Sequence, residues 1–156
     1  MKISDEKLHL KKSYAHFDRR VSLSDVLGYV SIPSNVAKHG FYPFIHYTKR
    51  FVKFNKEKGK YEKSRELCYS AHIDRCIFQY YSIKLNEIYN KRALKDGINE
   101  VAIAYRDCLG KSNINFAKEA IDFIKKQENC FITIGDFSHF FDELDHQHLK
   151  KMLISL

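Results

Sequence analysis

Residues 130–146 read CFITIGDFSHFFDELDH, and this stretch is the strongest indication of the fold in the sequence. The apolar run 130–134 has the composition of a strand, and Gly135 and Asp136 follow it directly. A strand is rigid, so a carboxylate at its end is held at an accessible edge, where catalytic acids are often placed. An ordinary surface aspartate is the alternative interpretation, because one carboxylate does not define a site.

The segments on both sides predict helices and one more strand. Asp145 is expected to cap a helix, with Leu144 and Leu149 as a hydrophobic staple. The buried stripe of that helix would be Leu149, Met152, Leu153 and Leu156. Ser112 is expected to cap another helix with residues 114, 117, 121 and 124 on its apolar face. Alternation predicts a strand over 98–106, and helical spacing predicts a helix over 74–91. Asp136 is expected to be exposed and to lie near residues 101–106.

The N-terminal half predicts a short helix, an irregular segment and a β-hairpin. The helix covers 23–29, with Ser22 as its N-cap and Asp25 three residues later. Residues 32–47 hold both prolines and are expected to be irregular. The hairpin pairs strands 51–54 and 61–65 around the polar loop 55–60, which contains Gly59.

Positive charge is concentrated in this hairpin. Residues 49–65 contain eight Lys or Arg and two Glu, a net of +6 in a chain whose formal charge is +8. A run of charge is often no more than a solvated face, but here Phe and Tyr stand between the charges, which favours contact with nucleic acid. The side chains predicted to bind nucleic acid are Lys49, Arg50, Lys53, Lys56, Lys58, Lys60 and Lys63.

Composition narrows the class of protein. The chain has 156 residues, 44% of them hydrophobic, with six Gly and two Pro, which is typical of a globular domain. No apolar run reaches the ~18 residues of a membrane span. The four cysteines lack metal-site spacing, so we expect reduced, partly buried thiols in a cytoplasmic protein. A basic membrane-surface protein is disfavoured because no long amphipathic Lys/Arg helix is present.

Residues 132–153 resemble the first palm motif of reverse transcriptases, and most closely the bacterial branch of group II intron, retron and defence-associated enzymes. The family pattern is an apolar strand, Asp, two or three variable residues, Phe-Phe, Asp or Glu, Ile, Asp-His and a helix. The matching residues are Asp136, Phe140, Phe141, Asp142, Asp145 and His146. Phe137 departs from the pattern, because the family usually has a smaller aliphatic residue there.

Upstream segments resemble the same family in the expected order. Residues 105–106, 110–112 and 115–117 resemble the fingers segment that precedes the palm. Residues 63–65, with Asp74, Arg75 and Gln79, resemble the first fingers motif and the helix behind it. Residues 39–44 resemble the N-terminal extension of bacterial defence-associated enzymes.

The resemblance implies an α+β, incomplete right-hand polymerase fold with a helical N-terminal region, basic β-hairpin fingers and the start of a palm. Its domains would be an N-terminal helical or irregular extension over 1–48, fingers over 49–126 and the first palm segment over 127–156. The implied function is the N-terminal part of an RNA-directed DNA polymerase in bacterial antiviral defence. Its partners would be an RNA template, a DNA primer, dNTPs, and the remainder of the polymerase or a partner protein.

The resemblance also implies roles for single residues. Polymerases of this family use two Mg²⁺ ions, which prefer oxygen ligands. Asp136 would be the catalytic carboxylate and ligate both ions, and the Phe137 carbonyl would assist at one of them. Phe141 would be a steric gate that packs under the deoxyribose and excludes a 2′-hydroxyl. The charge of the triphosphate would be offset by Arg106, Lys111 and Arg65.

The paired aspartates that complete the family's metal site do not occur in these 156 residues. Asp142 and Asp145 are not expected to replace them, because they belong to the turn and the helix cap of the first motif. We therefore expect no polymerisation by this chain alone. The rival hypothesis is a truncated, non-catalytic relative that binds nucleic acid or a partner protein through the hairpin. A reading frame that continues into paired aspartates would favour the enzyme.

Overall fold

A computed structural model describes residues 5–57 and 59–156 of the chain. Within these residues the elements, in chain order, are α1 (Asp5–His9), α2 (Leu23–Val30), α3 (Pro33–Ala37), β1 (Ile45–Asn55), β2 (Gly59–Tyr69), α4 (His72–Lys95), α5 (Asn113–Lys125) and α6 (His146–Ile154). Helices combined with an antiparallel hairpin confirm the α+β class. The chain divides into two compact units, Met1–Leu85 and Asn86–Leu156.

The first unit has a core built on α2 and the first turns of α4. Its buried cluster consists of Leu23, Val30, Cys76, Ile77 and Tyr80. The predicted cap of α2 is confirmed, because the Ser22 N–H donates to Asp25 Oδ2 at 2.9 Å and the Asp25 N–H donates to Ser22 Oγ at 3.4 Å. These two bonds satisfy donors that a helix start leaves open, which fixes where α2 begins.

The start of α4 is held by Asp18, a residue of the segment 10–22 between α1 and α2, which we name the N-terminal arm. Its Oδ2 accepts the backbone N–H groups of His72 at 2.7 Å and of Ile73 at 3.3 Å, and its Oδ1 lies 2.7 Å from His72 Nδ1. Burial raises the pKa of Asp18, but the hydrogen bonds from residues 72 and 73 outweigh it and leave that pKa below its ordinary value. The arm is thereby fastened to the helix that follows the hairpin.

A second buried carboxylate, Asp74, fastens the segment before the hairpin to the same helix. The His39 imidazole lies 2.7 Å from its Oδ1, and the Tyr42 N–H donates to its Oδ2 at 3.0 Å. His39 in turn lies within 3.0 Å of the Tyr29 hydroxyl on α2. The polar network therefore links α2, the segment before β1, and α4.

The hairpin is longer than the sequence predicts. Its strands pair without interruption from Ile45 opposite Tyr69 to Asn55 opposite Gly59. Gly59 has a φ of +68°, which a residue without Cβ adopts at no steric penalty. Residues 32–47 are not wholly irregular as predicted, because Pro33 begins α3 and the last residues belong to β1. Proline fits the first position of a helix, where no N–H donor is needed.

The two predicted strands of the second unit are not formed. Residues 98–106 run through turns instead, because the Arg106 guanidinium binds the backbone carbonyls of Asn99 and Ala102 at 3.0 Å each and folds the segment on itself. Residues 130–134 are irregular, since no described strand lies beside them to complete a ladder. Both segments have the composition of strands, but an apolar pattern carries no information on a pairing partner, and both strand predictions are wrong.

Helices α5 and α6 begin where the sequence predicts. The Ser112 N–H donates to Asn115 Oδ1 at 2.9 Å, and Asp145 Oδ1 accepts the N–H groups of Gln147 at 2.8 Å and His148 at 3.0 Å. The buried stripe predicted for α6 is wrong, because its four residues are 40–49% exposed. Among the described residues of this unit the buried hydrophobic core is limited to Ala93, so α6 has no interior to pack against.

The cysteines are all free thiols, and Cys76 is buried as expected, whereas Cys68, Cys108 and Cys130 are exposed. Burial raises the pKa of the Cys76 thiol. Across the described ranges, no helix combines the length and the apolar character that crossing a bilayer requires.

Candidate functional site

Asp136 borders an open cavity of about 700 Å³ in the second unit. The lining residues are Ala104, Tyr105, Asp136, Phe137, His139, Phe140, Phe141 and Asp142. The predicted catalytic residue, the predicted carbonyl ligand and the predicted sugar gate thus share one cavity, which we name the Asp136 cavity. Its wall includes residues 104 and 105, so the expected proximity of Asp136 to this part of the chain is confirmed.

The Asp136 side chain is exposed and uncommitted. Within residues 5–57 and 59–156, no hydrogen bond or ion pair engages its carboxylate. Asp145, nine residues later, is used differently, because hydrogen bonds from the backbone N–H groups of His148 and Gln147 lower the pKa of its carboxyl. Asp145 is therefore a helix cap, as predicted, and Asp136 remains available to a cation.

Three aromatic rings form one side of the Asp136 cavity. The ring centroids of Phe137 and Phe140 lie 5.9 Å apart, and those of Phe140 and Phe141 lie 5.3 Å apart in an edge-to-face arrangement. Contacts of this kind stabilise a ring cluster beyond the area that it buries. Phe141 is 74% exposed, so its ring is a surface group of the cavity rather than a core residue.

Backbone strain is concentrated at the same cavity. Tyr105 has a φ of +58° and His139 a φ of +53°, and in the described part of the chain these are the non-glycine residues with positive φ. Such conformations cost roughly 1–3 kcal/mol each and tend to occur at functional sites. Histidine is among the residue types enriched in this conformation and tyrosine is not, and sequence reasoning assigned neither residue to the site of Asp136.

The oxygen donors at the Asp136 cavity suit a hard cation such as Mg²⁺. Asp136 supplies a free carboxylate, and Phe137 carries the backbone carbonyl that the resemblance assigns to a metal. His139 Nδ1 lies 3.7 Å from Asp142 Oδ2. In the described ranges no three acidic, His or Cys side chains are arranged so that they could hold a metal ion together. The donors present therefore fit part of a Mg²⁺ shell.

Arg106 is committed to the loop beside the Asp136 cavity and does not line it. Its guanidinium contacts Asn90 Oδ1 at 2.7 Å, Asn99 Oδ1 at 2.8 Å, the carbonyls of Asn99 and Ala102, and Cys108 Sγ. Arginine has five N–H donors, and these contacts use every nitrogen that carries them. The role in binding a triphosphate stays a prediction, since it requires the exchange of these bonds.

Lys111 is likewise engaged elsewhere. Its Nζ lies 2.8 Å from Glu119 Oε1 on α5 and 5.7 Å from the centre of the Phe116 ring. The hydrogen bond to Glu119 raises the pKa of Lys111, so the side chain is firmly cationic. Its predicted phosphate contact stays a prediction.

The hairpin separates its charges onto two faces. Partners directly opposite in an antiparallel pair share a face, and successive residues alternate between faces. The regular register therefore places all odd-numbered residues of β1 and β2 on one face, which we name the basic face. Its charged residues are Lys49, Lys53, Lys63 and Arg65, with no acidic residue among them.

The even-numbered residues form the mixed face, where charges cancel. It carries Arg50 and Lys60 together with Glu62 and Glu66. The Thr48 hydroxyl donates to Glu66 at 2.7 Å, which engages one of these carboxylates within the face. Arg50 and Lys60, two of the predicted nucleic-acid ligands, thus lie on the opposite side of the hairpin from the other strand lysines. Lys56 lies in the connecting turn, and Lys58 lies outside the described residues.

The sequence matches no family model and none of the curated proteins to which it was compared.

Proposed function

We propose that this chain is the fingers and first palm segment of a bacterial-type reverse transcriptase, an RNA-directed DNA polymerase of antiviral defence that uses two Mg²⁺ ions. The observation that carries the proposal is the Asp136 cavity. A free, exposed carboxylate, the residue after it and an exposed Phe141 ring border one concave surface, where the palm motif assigns a metal ligand and a sugar gate.

The chain's own residues have distinct tasks in this proposal. Asp136 offers the carboxylate that would hold both ions, and Phe137 offers a backbone oxygen to one of them. Bound Mg²⁺ would stabilise the charge that develops on the oxygens during nucleotidyl transfer. The Phe141 ring would occupy the space that a 2′-hydroxyl needs. The strain at Tyr105 and His139 supports a functional interpretation of the cavity, because strained backbone persists where surrounding structure enforces it.

Exposed apolar side chains in the second unit support the part of the proposal in which further protein packs against this unit. Phe131, Ile134 and Phe137 are 105%, 92% and 81% exposed, and on the helices Ile114 and Ile154 are 80% and 77% exposed. Soluble proteins rarely leave so many large apolar groups uncovered unless another surface packs on them. In the proposal this cover is the rest of the polymerase, which would also bring the paired aspartates.

The decisive experiment is a substitution at Asp136 in the complete polymerase, measured by primer extension on an RNA template. Asp136→Asn keeps the shape of the side chain and removes the charge that holds Mg²⁺. We expect synthesis to fall by several orders of magnitude, with binding of template and primer nearly unchanged.

Asp142→Asn is the matched control, because it makes the same change of charge at the same cavity. Its carboxylate lies in the turn beside His139, so we expect at most a tenfold loss, about 1.4 kcal/mol of barrier. Full synthesis by Asp136→Asn, or equal losses in the two variants, would refute the assignment of Asp136.

A non-catalytic nucleic-acid-binding module is the second candidate function. The separation of charge onto the basic face favours it, because this feature needs no metal and no second motif. The two candidates differ in a simple test. Both candidates predict nucleic-acid binding by the present chain that survives Asp136→Asn, so the reading frame decides between them. A reading frame that lacks paired aspartates would favour the binding module.

A further inference from the structure

We propose that the basic face of the hairpin binds a single strand of RNA or DNA, with bases stacked on Tyr47 and Tyr61 and phosphates held by the lysines and arginine between them. This inference rests on the nucleic-acid-binding part of the proposed function. It does not depend on Asp136 or on any metal ion.

Like charges face each other on this surface. Lys49 and Arg65 are direct partners across the two strands. Such a pair destabilises a hairpin unless an anion lies nearby. Both cations are drawn over one ring, since Lys49 Nζ and the guanidinium carbon of Arg65 each lie 5.5 Å from the centre of the Phe51 ring. The contacts with Phe51 hold the cations on the basic face, where a phosphate would relieve their repulsion.

A ladder of rings anchors one end of the basic face. Tyr47 stacks on Tyr69 at 6.2 Å, Tyr69 on Tyr14 at 5.2 Å, and Tyr14 on His72 at 4.4 Å, with interplanar angles of 16°, 15° and 8°. His72 is buried at the start of α4, whereas Tyr47 is 46% exposed. The ladder therefore fixes the orientation of Tyr47 from the core outward and leaves part of its surface open to a base.

The dimensions of the basic face suit a short single strand. Tyr47 and Lys53 are six residues apart on β1, which corresponds to roughly 20 Å along a strand. Tyr61 lies directly opposite Lys53 and is 39% exposed, so exposed rings stand near both ends of the charged strip. Bases can stack on such rings only when they are not paired within a duplex.

The mixed face argues against a membrane surface as the ligand. Its exposed apolar side chains, Val52 and Phe54, each 72% exposed, are the groups of the hairpin that would have to enter a bilayer. Glu62 and Glu66 lie on the same face, and anionic lipid headgroups would repel their carboxylates.

The experiment is fluorescence anisotropy of the chain with labelled dT12 and rU12 at several salt concentrations. Four phosphate contacts predict a slope of log affinity against log salt of about −3 for a single strand. The double variant Lys53→Ala/Lys63→Ala should bind at least tenfold more weakly and reduce the slope to about −1.4. The matched control Arg50→Ala/Lys60→Ala removes two cations from the mixed face, and it should change affinity by less than threefold and keep the slope.

A third variant separates stacking from charge. Tyr47→Leu should weaken binding by about tenfold without changing the salt slope, and Tyr47→Phe should restore it. Circular dichroism of each variant verifies that the fold is retained. Equal losses in the two double variants would overturn the assignment to one face. Tighter binding to a twelve-base-pair duplex, or to phosphatidylserine vesicles, would overturn the single strand as ligand. If the complete polymerase is inactive but the chain still binds through the basic face, the proposed polymerase function is refuted and the proposed binding of a single strand is not.

Discussion

Removal of the Asp18 carboxylate should destabilise the first unit more than any substitution at an exposed acidic residue. Asp18 accepts two backbone N–H groups at the start of α4 and contacts His72 Nδ1. Its side chain is 10% exposed, so little water can replace it. The other nitrogen of this imidazole, Nε2, is buried and has no partner among the described residues. Removal of the Asp18 carboxylate would therefore leave the His72 ring without its hydrogen bond at Nδ1 and with none at Nε2 to replace it.

The expected magnitude follows from these three interactions. An unsatisfied buried donor costs about 1–3 kcal/mol, and taking about 1 kcal/mol for each gives roughly 3 kcal/mol for Asp18→Ala. A domain of this size has a total stability of roughly 4–13 kcal/mol. The corresponding fall in melting temperature is about 15 °C. Asp18→Asn keeps one acceptor oxygen and should lose about half as much.

Thermal unfolding monitored by circular dichroism at neutral pH measures this difference. Asp122→Ala is the control, because Asp122 lies on α5 in an exposed i,i+4 pair with Lys118 and should change the melting temperature little. Equal melting temperatures for Asp18→Ala and wild type would refute the reasoning.

Acid adds an independent test of Asp18. Its pKa is lowered in the folded state, so the carboxylate stabilises the fold above the unfolded value of about 3.9, and this stabilisation is lost as the pH falls through the folded pKa. The difference in the free energy of unfolding between wild type and Asp18→Asn should therefore shrink as the pH falls below the unfolded value and through the folded pKa. A difference that grows on acidification would contradict the lowered pKa.

Three further predictions concern the second unit. In the complete polymerase, Phe141→Ala should keep DNA synthesis but admit ribonucleotides; loss of all synthesis together with lower thermal stability would show that Phe141 is a packing residue. Tyr105→Gly should be neutral or stabilising by about 1 kcal/mol in thermal unfolding, because glycine adopts a φ of +58° freely, whereas Ala104→Gly should destabilise. Asp145→Ala should lower the protection of the amides of residues 147 and 148 from hydrogen exchange, and wild type should lose the same protection as the pH falls through the pKa of Asp145, which these bonds place below its ordinary value. Unchanged exchange in Asp145→Ala would contradict the cap.

Interactions between neighbouring residues were sufficient to predict the helix caps and the presence of the hairpin. Ser22, Ser112 and Asp145 each mark a helix start. The side chains of Ser22 and Asp145 accept nearby backbone N–H groups, whereas the Ser112 N–H donates to the Asn115 side chain, and each interaction involves residues within three positions. The hairpin likewise depends on neighbours in the chain. Its full length was missed because the outer pairs are fixed by contacts with the arm, such as Tyr69 on Tyr14.

Interactions between distant residues could not be predicted from the pattern of residues. Asp18 lies 54 positions before His72, and nothing in the spacing indicates that the two meet. The strand predicted at 98–106 does not form for a related reason. Its apolar residues alternate as in a strand, but Arg106 binds carbonyl groups that a strand would need for pairing. At the candidate site the sequence predicted Asp136, Phe137 and Phe141, but not the strained Tyr105 opposite them.

Both strands of the hairpin are edge strands. Within the described residues the sheet has two strands, so each has one side whose backbone N–H and C=O groups are unpaired over eleven residues. Such edges recruit other strands and promote aggregation unless charged side chains prevent close approach. The lysines of the basic face therefore have a second consequence, because they keep copies of the chain apart at the same place where they attract a polyanion. Charge-neutralising substitutions in the hairpin are accordingly expected to promote self-association through β-augmentation.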